Sequence, residues 1–440
     1  MPVDATVPAA TARSFLAEVR EGRAGSHLTA GLRPAAAAPA SGRAQRESRA
    51  QRVDRATPPG RDRLLDGLRA LSLVGVVLGH WLVDGLHVGT GAGGTRQLHA
   101  VSPLIAMPAA APLTWLVAVL AWFLLVGGRL SDRSWTSATT KGESYGRWLR
   151  RRRVRLVRPP LVAVGVWALL VPLALWWGIG WASVVVAAKT MVAPLWFIGV
   201  YVALTMATPL LVRADRRWGW RGPLASAALV GACDLLRFTP LAHLVPGWTG
   251  WLAVAPGWAF SFQLGMRWGR GAVTRRTAAA WLAAGVGSLA LLLGAGGYAV
   301  AMVGGGGSPS NVHPPTLAAL ALFAAACGAL WLVESPLRRL FDRPRVWWAT
   351  VVVNIAPLTV LTWHTVALYA PALVLARLTP LTLPGLTSTP TGPAWIAERV
   401  AWMPALTLLL AGLWWVTKRF ESAPRPVDRP GVPGPPSTPA

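Results

Sequence analysis

Cysteine is nearly absent: Cys233 and Cys327 are the only two in 440 residues, and both sit inside apolar runs. That excludes a disulfide framework and a cysteine-rich metal site. Acidic residues are also scarce, 17 against 43 Lys and Arg, and charged residues of both signs make up only 14% of the chain. A nucleic-acid binder with a net charge of +26 would carry far more charge on a less apolar background. There is no P-loop, no dinucleotide glycine fingerprint and no metal-ligand spacing. What is abundant is apolar. With 53% hydrophobic residues and 25 Trp, disorder throughout is excluded, and an integral membrane protein with basic loops and tails is implied.

Residues 1–60, rich in Ala, Arg, Pro and Gly, read as a disordered basic cytoplasmic tail, and residues 421–440 as a Pro-rich disordered one. Six acidic residues (Asp4, Glu18, Glu21, Glu47, Asp54, Asp62) argue against a transit peptide, and no secretory signal is present. Between the tails, residues 61–420 form the expected transmembrane domain. Crossing the hydrocarbon core takes roughly 20 mostly apolar residues, and ten runs qualify: 64–86, 112–130, 160–178, 194–212, 222–240, 248–266, 278–303, 316–334, 349–374 and 399–417. The sixth is interrupted by Pro246, Gly247, Gly250, Pro256 and Gly257. The expected fold is therefore all-α, a polytopic membrane protein of about ten helices. Cytoplasmic segments hold an excess of Lys and Arg. With the amino terminus inside, the inner segments carry 37 of the basic residues and the outer ones five, so both termini are expected in the cytoplasm.

Ionisable groups within spans are costly and need a reason. The first run holds four: Asp66, Arg69, His80 and Asp84. Arg69 and His80 are eleven positions apart, three helical turns and about 16 Å, so they project on nearly the same face. Asp84 follows His80 by four and can reach its ring; Asp66 precedes Arg69 by three and can pair with it. A neutral imidazole can take a proton from a hydroxyl near pH 7, with the cation placed to bind an anionic donor. An Arg near a helix end also snorkels or holds lipid phosphate, and a lone intramembrane His also bridges helices. His364, in the ninth run, lies at a similar depth to His80, and the two can share one cavity. Asp234 is read as the partner of Arg237. The basic cluster from Arg147 to Arg158 fixes topology and meets anionic headgroups, while Arg155 and Arg158, nearest the membrane, are placed to hold phosphates of a cytoplasmic cofactor. The uncharged outer segment Gly304–Pro315 is a linker or, through Ser308-Pro309-Ser310-Asn311, a lining of the acceptor entrance.

In sequence order these motifs resemble the acyltransferase-3 family of membrane-bound acyltransferases, over roughly residues 61–420. Arg69 and His80 match the family's Arg, ten residues, His spacing within Leu65-Asp66-Gly67-Leu68-Arg69-Ala70-Leu71. Leu195-Trp196-Phe197-Ile198-Gly199-Val200-Tyr201 is similar to its fourth-helix signature, Arg155-x-x-Arg158-Pro159 to its basic motif, Gln263-Leu264-Gly265 to a sixth-helix pattern and Trp363-His364 to a late motif. The resemblance implies O-acyl transfer, often of acetyl, from cytoplasmic acyl-CoA to a hydroxyl of a glycan, lipid or secreted small molecule. It implies no permanently bound cofactor, a multi-pass place in the cell membrane and lipids as the other partners. On this reading His80 is the catalytic base with Asp84 and Arg69 beside it, and Arg69, Arg155 and Arg158 bind the donor. His364, Trp196 and Asn311 are candidates for acceptor binding. A transporter or flippase is the competing class, suited by Gly/Pro-broken spans, but no repeat relates the two halves and the ionisable residues concentrate in one helix.

Overall fold

The computed structural model describes residues 48–90, 96–304 and 310–418, without side chains at 153–155. The expected tails up to residue 47 and beyond 418, Ser308-Pro309 and the Arg155 side chain lie outside these described residues. Fifteen α-helices and one two-stranded hairpin make the architecture all-α, a polytopic membrane protein.

The segment expected to be wholly disordered up to residue 60 contains a helix, α1 (Arg49–Arg55), started by a capping box between Ser48 and Gln51. It is anchored from the next loop, where the Thr57 hydroxyl accepts from Trp347 Nε1 at 2.6 Å. Helix α2 (Arg63–Val83) begins where the Asp62 carboxylate accepts from the Leu65 N–H, at 3.4 Å. Its 21 residues give a rise of about 31 Å, enough for the hydrocarbon core. It ends at Asp84, whose backbone is extended, so His80 occupies the last turn. The chain then enters a hairpin, β1 (Gly85–Thr90) and β2 (Arg96–Val101), in antiparallel register with His87 opposite His99.

A 3₁₀ segment (Pro108–Ala118) leads into α3 (Val119–Thr140), followed by α4 (Tyr145–Trp176), α5 (Trp181–Val192), α6 (Leu195–Met206) and the amphipathic α7 (Thr208–Trp218). Then come α8 (Arg221–Phe238), a 3₁₀ segment (Gly247–Ala253) and α9 (Val254–Gly269). The remaining helices are α10 (Arg275–Gly294), α11 (Leu317–Leu332), α12 (Glu334–Phe341), α13 (Pro344–Val353), α14 (Pro357–Leu378) and α15 (Pro393–Thr417).

Among the described residues, seven helical stretches are long and apolar enough to cross a membrane, or eight if α11 and α12, bent by 67°, form one span. These match eight of the ten expected runs. The other two are α8, whose 18 residues include Arg221, Asp234 and Arg237, and α9, which has only 16 helical residues after its 3₁₀ lead. The expected ninth run also breaks. Pro357 cannot donate to a preceding turn, so α13 stops at Val353 and α14 restarts at the proline. The Asn354 side chain at this break donates to the Asp66 carbonyl, at 2.8 Å, tying the start of α14 to the first turn of α2.

Two apolar cores result. The larger is built around α3, α9 and α11, with Phe262, Phe323 and Trp258. At one seam of it α3 and α9 meet at glycines: a Cβ on Gly265 would lie 1.9 Å from the Leu125 carbonyl oxygen, and one on Gly128 1.9 Å from that of Phe262. The smaller core gathers Trp81 of α2, Trp167 of α4, Trp363 and Tyr369 of α14 and, from the hairpin, Leu86 and Leu98. The hairpin thus covers the end of α2 where His80 lies.

Candidate functional site

The last turn of α2 presents His80 beside its own carboxylate. His80 Nδ1 lies 3.3 Å from Asp84 Oδ2, the four-residue spacing closing the pair on one helix face. With Nδ1 facing a carboxylate, the hydrogen sits on that nitrogen and Nε2 is left as the acceptor. The pair is reachable: 36% of the His80 side chain and 22% of that of Asp84 are exposed. His364 comes in from α14, its ring centroid 5.0 Å from that of His80, edge to face. It is fully buried, and its Nδ1 is 2.8 Å from the Leu361 carbonyl, which can only accept. Its proton is therefore on Nδ1, and the buried Nε2 has no hydrogen-bond partner among the described residues. Trp81 fixes this crossing by donating from Nε1 to the His364 carbonyl at 2.8 Å.

A cavity of about 100 Å³ adjoins the same face of α2. Arg69, Ser72, Leu73 and Val76 line it at helical spacing, with Phe123 from α3, Leu156 from α4, Phe197 and Tyr201 from α6, and Pro357, Leu358 and Leu361 from α14. Arg69 stands at one end, and at the other are Val76, one turn before His80, and Leu361, which holds the His364 ring. Arg69 is only loosely paired: Asp66 is 3.6 Å away and makes its short ion pair, 2.6 Å, with Arg61. The cavity runs along α2 from the cation to one turn short of His80, walled mainly by apolar side chains.

The other sequence candidates fall in different surroundings. Arg155 and Arg158 lie on α4, where Leu156 between them lines the cavity, so the basic motif borders it. Trp196 is turned away from the cavity that its neighbour Phe197 lines; its ring is 5.1 Å from His313 and 5.3 Å from Trp258. Asn311 does not line an open entrance: it is 3% exposed, donates to the carbonyls of Ala299 and Ala301 and accepts from Thr316. Its amide is used up in shaping the outer loop. Asp234 is 3.7 Å from Arg237, but its shorter bonds are to the Leu317 N–H (2.7 Å) and the Tyr298 hydroxyl (2.9 Å). Of the pattern Gln263-Leu264-Gly265, the glycine forms the helix seam and the glutamine donates to Ser226 at 3.0 Å.

Two features of the site escape sequence reasoning. Arg399 reads as a loop charge at the edge of the last run, yet α15 starts six residues earlier at Pro393 and buries Arg399 completely. Its Nη2 donates to the Asp84 carbonyl at 3.1 Å. The proline after Gly392 is the signal that moves the helix start. The hairpin is the second; its weak cue is the glycine cluster Gly89, Gly91, Gly93 and Gly94 between two short apolar stretches.

A family model described as an acyltransferase domain matches residues 62–418. No curated protein and no solved structure matches the chain.

Proposed function

Since the chain belongs to the acyltransferase-3 family and is a membrane acyltransferase, we propose that it moves an acyl group, acetyl in the first instance, from cytoplasmic acyl-CoA to a hydroxyl of a glycan, lipid or secreted small molecule. The observation that carries this reading is the accessible His80–Asp84 pair at the end of the helix face along which the Arg69 cavity runs. His80 Nε2 takes the proton of the acceptor hydroxyl as its oxygen attacks the thioester carbonyl. The carbon–sulfur bond then breaks, and the leaving thiolate takes that proton back from the imidazolium. Asp84 keeps Nδ1 protonated and stabilises the transient imidazolium. His364 offers a fixed acceptor nitrogen to a hydroxyl arriving beside His80.

Donor binding rests on Arg69 with Arg155 and Arg158, whose guanidinium forks suit phosphate. The excess of basic residues in the inner segments supports a cytoplasmic Arg69 end, the side on which acyl-CoA is found, and with it cytoplasmic termini in the cell membrane. Family membership takes the place of the transporter alternative. Membrane vesicles supplied with radiolabelled acetyl-CoA test the reading, since label should enter extractable glycan, lipid or small-molecule material. His80→Ala should abolish incorporation at unchanged protein level; full incorporation in that variant removes His80 as the base.

A further inference from the structure

An arginine inside an apolar helix is expensive to bury unless its charge and donors are met. Arg399 is 0% exposed, and among the described residues no carboxylate oxygen comes within 4.0 Å of it. Its guanidinium stacks 4.7 Å over Trp395 and donates once, from Nη2 to the Asp84 carbonyl at 3.1 Å, while Nε and Nη1 have no partner. An arginine kept only to cross-link helices would fill those donors. The loop before α15 presses on this residue as well: at Gly385, whose φ is +67°, a Cβ would lie 2.5 Å from the Arg399 backbone nitrogen. The side chain is therefore enclosed by Trp395, the loop and the end of α2.

Asp84 connects this cation to the reacting group. Its carbonyl takes the Arg399 bond, its N–H closes the last turn on the His80 carbonyl at 3.0 Å, and its carboxylate meets His80 Nδ1. The other titratable groups around the pair are His364 and Tyr369, both from α14. Arg399 is thus the fixed cation beside an anion that is itself beside the base. We propose that Arg399 is a positioning residue of the acyl transfer: it clamps the end of α2 so that the Asp84 carboxylate stays turned toward His80. This rests on the reading of His80 as the base.

The test uses the full-length protein in membrane vesicles with radiolabelled acetyl-CoA, rates being taken per amount of inserted protein. Arg399→Gln should lower apparent kcat on the order of 100-fold, within the range that a positioned base contributes, while the donor KM stays within about twofold. In an Asp84→Asn background, Arg399→Gln should cost less than about threefold, because Arg399 acts through the carboxylate that this background has already lost. Additive losses, or a wild-type kcat, overturn the proposal. Should Arg399→Gln fail to accumulate, Arg399→Lys decides. Keeping the charge but not the geometry, it should show a reduced kcat at an unchanged donor KM, and a wild-type kcat there overturns the clamp. His80→Ala separates the two levels: activity in that variant sinks the base reading, whereas its loss beside a wild-type Arg399→Gln sinks only this inference.

Discussion

Replacing Gly265 by alanine probes the seam that holds the two halves of the larger core. The added Cβ would sit 1.9 Å from the Leu125 carbonyl oxygen, whereas ordinary contacts begin at 3.4 Å. The helices must therefore part by about 1.5 Å. The obstacle is backbone, which cannot rotate aside, and the reciprocal contact of Gly128 with Phe262 leaves no slack on the other side of the seam. Overpacking of a well-filled interior costs about 1–3 kcal/mol, and a carbonyl as the colliding atom puts this variant at the upper end. For a chain of this size that corresponds to a fall in melting temperature of roughly 3 °C. The assay is thermal unfolding of the purified protein in detergent. Gly165→Ala is the control, lying exposed on α4 with nothing within 4 Å of the added Cβ. If Gly265→Ala melts within about 1 °C of the parent, the close approach of α3 and α9 is refuted.

Arg69→Ala should raise the acyl-CoA KM about tenfold or more with a much smaller change in kcat, the loss of one charge-assisted phosphate contact; unchanged donor dependence would make Arg69 an interfacial anchor only. The hairpin should be acid-sensitive. Burial, and then the neighbouring His99 charge, hold His87 below its ordinary value of 6.5, so protons bind the opened hairpin better than the closed one. Its stability is then full above pH 6.5 and declines as pH falls below it toward the folded-state value. Hydrogen exchange over residues 85–101, corrected for intrinsic rates, should show this, and His87→Gln should flatten the dependence.

Much of the site was legible because its central pair is local. Asp84 is one turn from His80 on one helix, so a spacing of four was enough to bring them together. Arg69 and the face it shares with His80 follow from the same periodicity. The depth argument for His364 counted along an unbroken run, and although the run breaks at Asn354–Ala356, the two rings still meet at 5.0 Å. Asn311 shows the limit of reading chemistry from composition. A polar side chain in an uncharged loop fits an open entrance or a hydrogen-bonded loop equally well, and only the positions of three backbone and side-chain partners separate them. Two runs long enough on paper became α8 and α9, because charge inside one and proline and glycine ahead of the other shorten what the helix offers to lipid.

The sequence alone determined the class of the protein, its helical character, the asymmetry of its charge and the helix that bears His80 and Asp84, since each follows from residues near one another along the chain. Tertiary structure alone decided what surrounds that pair. Arg399 stands 315 positions beyond Asp84 and becomes its partner only because α15 packs beside the end of α2. The cavity exists only where α2, α3, α4, α6 and α14 fail to fill the space between them, and no local pattern encodes a gap between five helices.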